Sequence, residues 1–358
     1  MRVLVVSDRF DAAVTSPVAA EAVAAGWRRA RPDDEVSTLP LSSGGAGLCE
    51  VLHHDGDRWL AVEVVGPHGR PVEARALVRR DGLGVLEAAA ACHAEPTGYD
   101  PRAATTFGVG QLLRAVLDAG ADRVVVGLGD CPALDAGLGA LTGFGYRLRV
   151  ADGFGLKIGG NEIHRLARIE DGWAPAVSGV DIELLTETSS TLVEAADLLA
   201  RDHPELAAEL PQWRSRLAEV ALVLERDLAR TAGVTSEPGT GCAGGLGAAL
   251  RAALDAELVP GAARVAGLLG ATAALDAADV VVVAQDALAG STSPRTVLGA
   301  VLQAAGPRSG TPTLAVVRHL VERERAGVVG VAGIAEVTSD LALGDGLAGA
   351  ATRLAARR

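Results

Sequence analysis

The sequence predicts an α/β protein of two domains, and three observations support this. The chain has 358 residues, which is more than a single compact domain usually holds. Residues 3–7 form a continuous apolar run suited to a buried parallel strand. Ser16 and Pro17 then signal a helix start, and residues 35–39 indicate the next strand. A strand, a helix and a strand in succession imply a right-handed crossover and a parallel sheet.

The same patterns continue along the rest of the chain. Strands are predicted at residues 60–65, 72–78, 123–127, 280–284 and 312–317. Helices are predicted at residues 111–119, across 191–229 with breaks at Pro204 and Pro211, and after Ser293 and Pro294.

Composition narrows the class of protein. Apolar residues make up 49% of the chain and charged residues 22%, which is typical of a soluble globular protein. The net charge of −12 argues against nucleic acid as a partner. The apolar run at 280–284 is too short to span a bilayer, so no membrane partner is expected. The chain reaches its first strand directly after Met1, and Cys49, Cys92, Cys131 and Cys242 are widely spaced, so we expect a cytoplasmic protein without zinc or disulfides.

Cations are almost all arginine, because Lys157 is the only lysine. A phosphate-binding loop ending in Gly-Lys-Ser/Thr is therefore absent. Kinase chemistry in this chain would depend on arginine, backbone amides and a metal ion.

A glycine-rich stretch at residues 238–247 runs into an alanine-leucine helix. It allows two interpretations. Its backbone N–H groups could bind an anion such as a phosphate, or the glycines could serve only to pack the start of the helix closely. The stretch also contains Gly-x-Gly-x-x-Gly, but no hydrophobic strand precedes it, which disfavours a dinucleotide.

Residues that directly follow predicted strands are candidates for a ligand site, since open α/β sheets bind ligands at the carboxyl ends of their strands. These residues are Ser7, Asp8, Arg9, Gly129, Asp130, Gln285 and Asp286.

Several motifs resemble those of bacterial type I glycerate kinases. Residues 105–110 read Thr-Thr-Phe-Gly-Val-Gly, and residues 238–247 read Pro-Gly-Thr-Gly-Cys-Ala-Gly-Gly-Leu-Gly. Both are close to the family's patterns. Residues 7–12 keep the aspartate and phenylalanine of the family's opening motif, and Asp135 is kept in a second glycine-rich loop.

Charged positions of these motifs are often replaced. Asp11 stands where the family has lysine, and Ser43 and Ala46 stand where it has acids. Gln285 and Thr296 also lack the family's charge. Two hypotheses stay open: a glycerate kinase-like enzyme with a divergent site, or a non-catalytic paralogue that binds a nucleotide, a small acid or a protein partner.

The resemblance implies a flavodoxin-like domain of residues 1–55 and 260–358, with a second α/β domain, 56–259, inserted. It implies ATP-dependent phosphorylation of D-glycerate or a related small hydroxy acid with Mg²⁺, in a cleft between the domains, and leaves the oligomeric state open. The catalytic candidates are Asp8, Arg9 and Asp135, and the metal candidates are Asp135 and Asp181. The candidates for binding nucleotide or substrate are Ser7, Gly44, Gly45, Thr105, Thr106, Gly129, Asp130, Gly239, Gly241, Gly244, Gly245 and Asp286.

Overall fold

The structure is a computed structural model that describes residues 1–93, 99–288, 293–305, 310–320, 330–337 and 342–357. Its strands are β1 (Arg2–Ser7), β2 (Glu35–Pro40), β3 (Arg58–Val65), β4 (Pro71–Val78), β5 (Leu83–Glu87), β6 (Arg123–Gly127), β7 (Arg147–Arg149), β8 (Arg168–Glu170), β9 (Asp181–Thr186), β10 (Glu257–Pro260), β11 (Val280–Leu288), β12 (Thr313–Leu320) and β13 (Val331–Glu336). Its α-helices are α1 (Ser16–Ala30), α2 (Leu48–Leu52), α3 (Ala88–Ala91), α4 (Phe107–Asp118), α5 (Leu138–Phe144), α6 (Ala195–Leu199), α7 (Leu210–Asp227), α8 (Cys242–Leu254), α9 (Gly261–Leu268), α10 (Ala271–Ala277), α11 (Val297–Ala305) and α12 (Leu343–Ala355).

The chain forms two compact units. The terminal unit contains Met1–Ser43, Glu50–Leu52 and Pro260–Arg358. The inserted unit contains Gly44–Cys49 and His53–Val259. We propose that these units are the protein's two domains. The predicted α/β class, with one unit built from both chain ends, is confirmed.

The terminal unit has a parallel sheet in the order β2-β1-β11-β12-β13. Numbered within the unit, this is the 2-1-3-4-5 order of flavodoxin-like folds. Val5 pairs with Val282 in the middle of the sheet, and both are fully buried. Continuous valine runs form these strands because helices cover both faces of a parallel sheet.

Helices α1 and α12 of the terminal unit cross in close contact at Gly26. A Cβ atom built on Gly26 would lie 2.1 Å from the carbonyl oxygen of Ala348. The Thr352 hydroxyl donates a hydrogen bond to the Gly26 carbonyl at 2.9 Å. The backbones approach this closely because glycine has no side chain.

The inserted unit has a mixed sheet in the order β10-β9-β6-β5-β4-β3. Strands β3, β4 and β5 run antiparallel, whereas β5, β6 and β9 run parallel. A separate antiparallel pair joins β7 and β8. The parallel strands bring their carboxyl ends, at Glu87, Gly127 and Leu185, to one edge of the sheet.

Most predicted elements are confirmed within a few residues. Strands β5, β7, β8, β9 and β10 were not predicted. The predicted helix at 191–229 is divided: 3₁₀ turns lie at Leu192–Glu194 and Pro204–Glu209, and the expected break at Pro211 is found, because α7 begins at Leu210 with this proline in its first turn. Strand β11 continues four residues beyond its predicted end. In the described part of the chain, no helix combines the length and apolarity needed to cross a membrane.

The contact at Gly26 predicts the effect of a single methyl group. Gly26→Ala should lower the free energy of unfolding by about 2 kcal/mol or more, because the packed helices must separate. Gly349→Ala lies in α12 next to Ala348, but its new Cβ would meet only the Arg353 guanidinium at 3.6 Å. This control should be neutral or stabilising by up to about 1 kcal/mol. Urea denaturation compares the two, and equal stabilities would contradict the close crossing.

Candidate active site

Asp8 lies at the carboxyl edge of the terminal unit's sheet, directly after the last residue of β1, Ser7. Its backbone N–H donates to the carbonyl of Ala284 in the neighbouring β11 at 2.8 Å. Its carboxylate accepts hydrogen bonds from the Arg9 N–H at 2.9 Å and from the Ser43 hydroxyl at 3.0 Å. These contacts hold Asp8 at the point where the strand order reverses, which is where flavodoxin-like sheets bind ligands.

The side chains of two other predicted residues at this edge form hydrogen bonds to nearby backbone groups. The Ser7 side chain is fully buried, and its hydroxyl donates to the Ser16 carbonyl at 2.7 Å. The Gln285 amide donates to the Ala287 carbonyl at 2.8 Å and accepts the Leu298 N–H at 3.1 Å. Both side chains therefore stabilise the backbone beneath Asp8.

Asp11 and Asp286 lie on either side of Arg318, which was not among the site residues predicted from the sequence. Arg318, in β12, donates to the Asp286 carboxylate at 2.5 Å and to the Asp11 carboxylate at 3.3 Å. Arg9 donates its Nε–H to the Asp11 carbonyl at 2.9 Å. The Val14 N–H, with help from Arg318, lowers the pKa of the Asp11 carboxyl below 3.8. These contacts therefore stabilise the folded protein fully above about pH 4 and are lost on further acidification.

In the inserted unit, three glycine-containing loops meet at the carboxyl end of β9. A Cβ built on Gly44 would lie 2.9 Å from the Leu185 Cβ, and one built on Gly239 would lie 2.7 Å from the Thr186 Cγ2. The Gly129 N–H donates to the Gly44 carbonyl at 3.0 Å. These three loops, all of the inserted unit, thus lie together at the carboxyl end of β9.

Two carboxylates flank Gly45 at this meeting point. Asp130 has a left-handed backbone, with φ of 54°, and its Oδ2 accepts the Ala46 N–H at 2.9 Å. A Cβ built on Gly45 would lie 2.5 Å from Asp130 Oδ2 and 3.0 Å from Glu187 Oε1. Glu187 was not predicted from the sequence, although it directly follows a parallel strand, which is the signal that identified Asp130.

Asp135 lies in the interior of the inserted unit. Its carboxylate is fully buried and accepts hydrogen bonds from five donors. The donors are the Thr105 hydroxyl, the Thr106 hydroxyl and N–H, and the N–H groups of Gly137 and Gly139. Burial raises the pKa of the Asp135 carboxyl, and the donated hydrogen bonds oppose that shift. The arrangement favours a structural role, in which Asp135 joins the starts of α4 and α5, over contact with a metal or substrate.

Asp181 is the first residue of β9, and its N–H donates to the Asp122 carbonyl at 3.2 Å. It thus lies at the amino end of the strand. Five residues of extended chain separate it from the carboxyl end, which is roughly 16 Å. The structure does not bring Asp181 to the loops that meet there.

The glycine-rich stretch before α8 is closely packed. The Gly239 and Gly241 N–H groups donate to the Ser190 carbonyl at 3.1 and 2.8 Å. Gly244 has φ of 60°, and a Cβ built on it would lie 1.6 Å from the Ala133 carbonyl oxygen. This agrees with the interpretation of residues 238–247 as a closely packed helix start. The packing also places these residues against the loop that carries Asp130.

Comparison with known proteins identifies the family. The model described as the glycerate kinase family matches residues 3–356. The chain belongs to this family. It is 32% identical to a glycerate kinase from Halalkalibacterium halodurans over 72% of this chain and 70% of that protein. A glycerate 2-kinase from Escherichia coli K12 is 28% identical over 73% of this chain and 70% of its own length.

Other similar proteins match along the whole chain. An uncharacterized protein from Mycobacterium bovis is 33% identical over 100% of this chain and 91% of its own length. The crystal structure of a protein assigned as glycerate kinase 2 from Salmonella typhimurium LT2 has a TM-score of 0.78 and 27% identity, and it covers 100% of this chain and 98% of that one. Family membership makes nucleotide-dependent phosphoryl transfer to a small molecule the relevant chemistry for the site.

The buried network of this glycerate kinase family member predicts the cost of changing Asp135. Asp135→Asn keeps the side-chain volume but turns an amide N–H₂ toward N–H and hydroxyl donors. We expect a loss of about 3 kcal/mol or more in the free energy of unfolding. Asp118→Asn, at the exposed end of α4, is the matched control and should change stability by less than about 0.5 kcal/mol. Thermal denaturation measures both, and a stable Asp135→Asn protein would refute the structural role.

Proposed function

We propose that this protein transfers the γ-phosphoryl group of ATP to a hydroxyl of D-glycerate or a related small hydroxy acid, giving a phosphoglycerate. The observation that carries the proposal is the meeting of amide-rich loops with two carboxylates, Asp130 and Glu187, at one sheet edge in a glycerate kinase family member. Phosphoryl transfer needs positioning of the acceptor, charge neutralisation by metal, and close donors for the phosphate oxygens, rather than a covalent intermediate.

Backbone amides are assigned to the nucleotide phosphates, because glycine lets main-chain N–H groups approach an anion closely. The assigned residues are Gly44, Gly45, Gly244 and Gly245. The N–H groups of Gly129, Gly239 and Gly241, which were also candidates, donate to carbonyls within the inserted unit. Thr105 and Thr106 act through Asp135, by fixing the loop that follows β6.

Asp130 and Glu187 are assigned to Mg²⁺ in place of Asp135 and Asp181. Magnesium takes hard oxygen ligands and usually binds through one or two carboxylates together with substrate phosphates. Both side chains approach the same glycine, so their oxygens form a donor set of the right chemistry. The ion would neutralise charge on the phosphate oxygens.

Asp8 is assigned to the acceptor hydroxyl. Its carboxylate is oriented by two donors, and its place after β1 matches the aspartate of the family's opening motif. The residue would accept a hydrogen bond from the hydroxyl and hold it in line for attack. The four cysteines are thiols rather than disulfides, which fits a reducing compartment, and we place the protein in the cytoplasm.

A coupled assay of ADP release tests the proposed reaction directly. With D-glycerate, ATP and Mg²⁺ the protein should turn over at roughly 1–100 per second. Asp8→Asn should lower kcat by about 10²-fold or more, whereas Asp276→Asn, on the exposed side of α10, should not. Absence of turnover, with Mg-ATP binding seen by calorimetry, would overturn the kinase proposal in favour of a non-catalytic nucleotide-binding protein.

The metal assignment has its own test, which is the Mg²⁺ concentration that gives half-maximal activity. Asp130→Asn and Glu187→Gln should each raise it by about tenfold or more, because each removes one of few carboxylate ligands. Asp181→Asn should leave it unchanged. If Asp181→Asn raised this Mg²⁺ concentration and the other two variants did not, Asp181 would be favoured as the metal ligand instead.

A further inference from the structure

Arg318 occupies a central place at the carboxyl edge of the terminal unit's sheet. Its three nitrogens make three different contacts: Nε with Asp286 at 2.5 Å, Nη1 with Asp11 at 3.3 Å, and Nη2 with the Phe10 carbonyl at 3.0 Å. Asp286 belongs to β11, and Arg318 itself to β12. One guanidinium therefore joins the ends of two strands to the loop that follows a third, β1.

The loop that Arg318 contacts is the one that carries Asp8. Within it, the Asp11 carboxylate accepts the N–H groups of Ala13 and Val14 at 3.0 and 2.9 Å, and the Phe10 N–H donates to the Val14 carbonyl at 3.0 Å. One Asp11 oxygen organises the turn while the other meets Arg318. That ion pair therefore connects the turn, which begins two residues after Asp8, to β12.

The negative charge at this edge of the sheet needs a cation to balance it. Asp8, Asp11 and Asp286 place three carboxylates near the proposed acceptor position, and glycerate and ATP are themselves anions. The glycerate kinase pattern has a lysine where this chain has Asp11. Here Arg9, in the same loop, donates to the Asp11 carbonyl, and the cation that meets the Asp11 carboxylate is Arg318 of β12.

We propose that Arg318 is the positioning residue of this site and supplies, from β12, the cation that the family's lysine would supply at position 11. The proposal rests on the proposed function. Arg318 neutralises Asp11 and Asp286 and fixes the loop that presents Asp8 to the acceptor. Arginine suits this role because its planar fork can hold two carboxylates and a carbonyl at once.

The kinetic test removes or keeps the positive charge at position 318. Arg318→Gln should lower kcat with D-glycerate by about 10²-fold and raise its KM several-fold, while the KM for ATP changes little. Arg318→Lys keeps the charge and leaves the Asp11 carboxylate on the Ala13 and Val14 N–H groups, so it should retain at least tenfold more kcat/KM than Arg318→Gln. Equal losses in the two variants would overturn the proposal, because they would show that the charge at this position does not matter.

Arg2→Gln is the matched control. Arg2 pairs with Asp279 at 3.1 Å, and the pair lies at the amino ends of β1 and β11, the opposite edge of the same sheet. Loss of that arginine should leave kcat and both KM values unchanged. A loss of activity equal to that of Arg318→Gln would show that any arginine of the sheet matters equally, and would also overturn the proposal.

A second measurement does not depend on turnover, so it separates this proposal from the proposed function. Amide hydrogen exchange of residues 10–14 should quicken at least tenfold in Arg318→Gln and stay unchanged in Arg2→Gln. If the wild-type protein phosphorylates no glycerate, the proposed reaction fails while this result still tests the ion pair. Unchanged exchange in Arg318→Gln would refute the positioning role whatever the enzyme's activity.

Discussion

The buried carboxylate of Asp135 is the interaction on which the loops of the inserted unit depend. It joins the threonines before α4 to the amides at the start of α5, so two helix starts share one acceptor. The adjacent Ala136 N–H donates to the Gly244 carbonyl at 3.0 Å, which links the same point to the glycine-rich stretch. A buried carboxylate with five donors is stable only in one arrangement of its neighbours, and that uniqueness is what a site made of several loops requires.

The parts of the fold that could be predicted from the sequence are those with a strong local signal. The valine runs of β1, β6 and β11 are buried on both faces and read as strands without any other information. Strand β5 was missed because Gly84 interrupts a short run, and that glycine is needed where the Val116 side chain would lie 2.4 Å from a Cβ. Tertiary packing there outweighs the local propensity.

The candidate site was predicted in part, for a related reason. A residue's place after a parallel strand identified Asp8 and Asp130, but the end of β9 was not recognised, so Glu187 was missed. Asp135 and Asp130 are neighbours in one glycine-rich loop, and a sequence does not say which carboxylate turns inward. Burial distinguishes them: Asp135 is fully covered, whereas Asp130 is exposed. The role of Arg318 depends on a strand pairing that joins distant parts of the chain, and its neighbours in sequence give no sign of it.

The central pairing of the terminal unit has a consequence for biosynthesis. Val3 of β1 pairs with Val280 of β11, so the middle of that sheet cannot form until the 277 residues that follow Val3, up to Val280, have been synthesised. At translation rates of about 5–20 residues per second, β11 is made roughly 15–55 seconds after β1. The inserted unit, whose chain is complete by then, can fold first. Nascent chains should therefore expose an apolar β1 for most of translation, which makes them natural clients for a chaperone that holds extended hydrophobic segments.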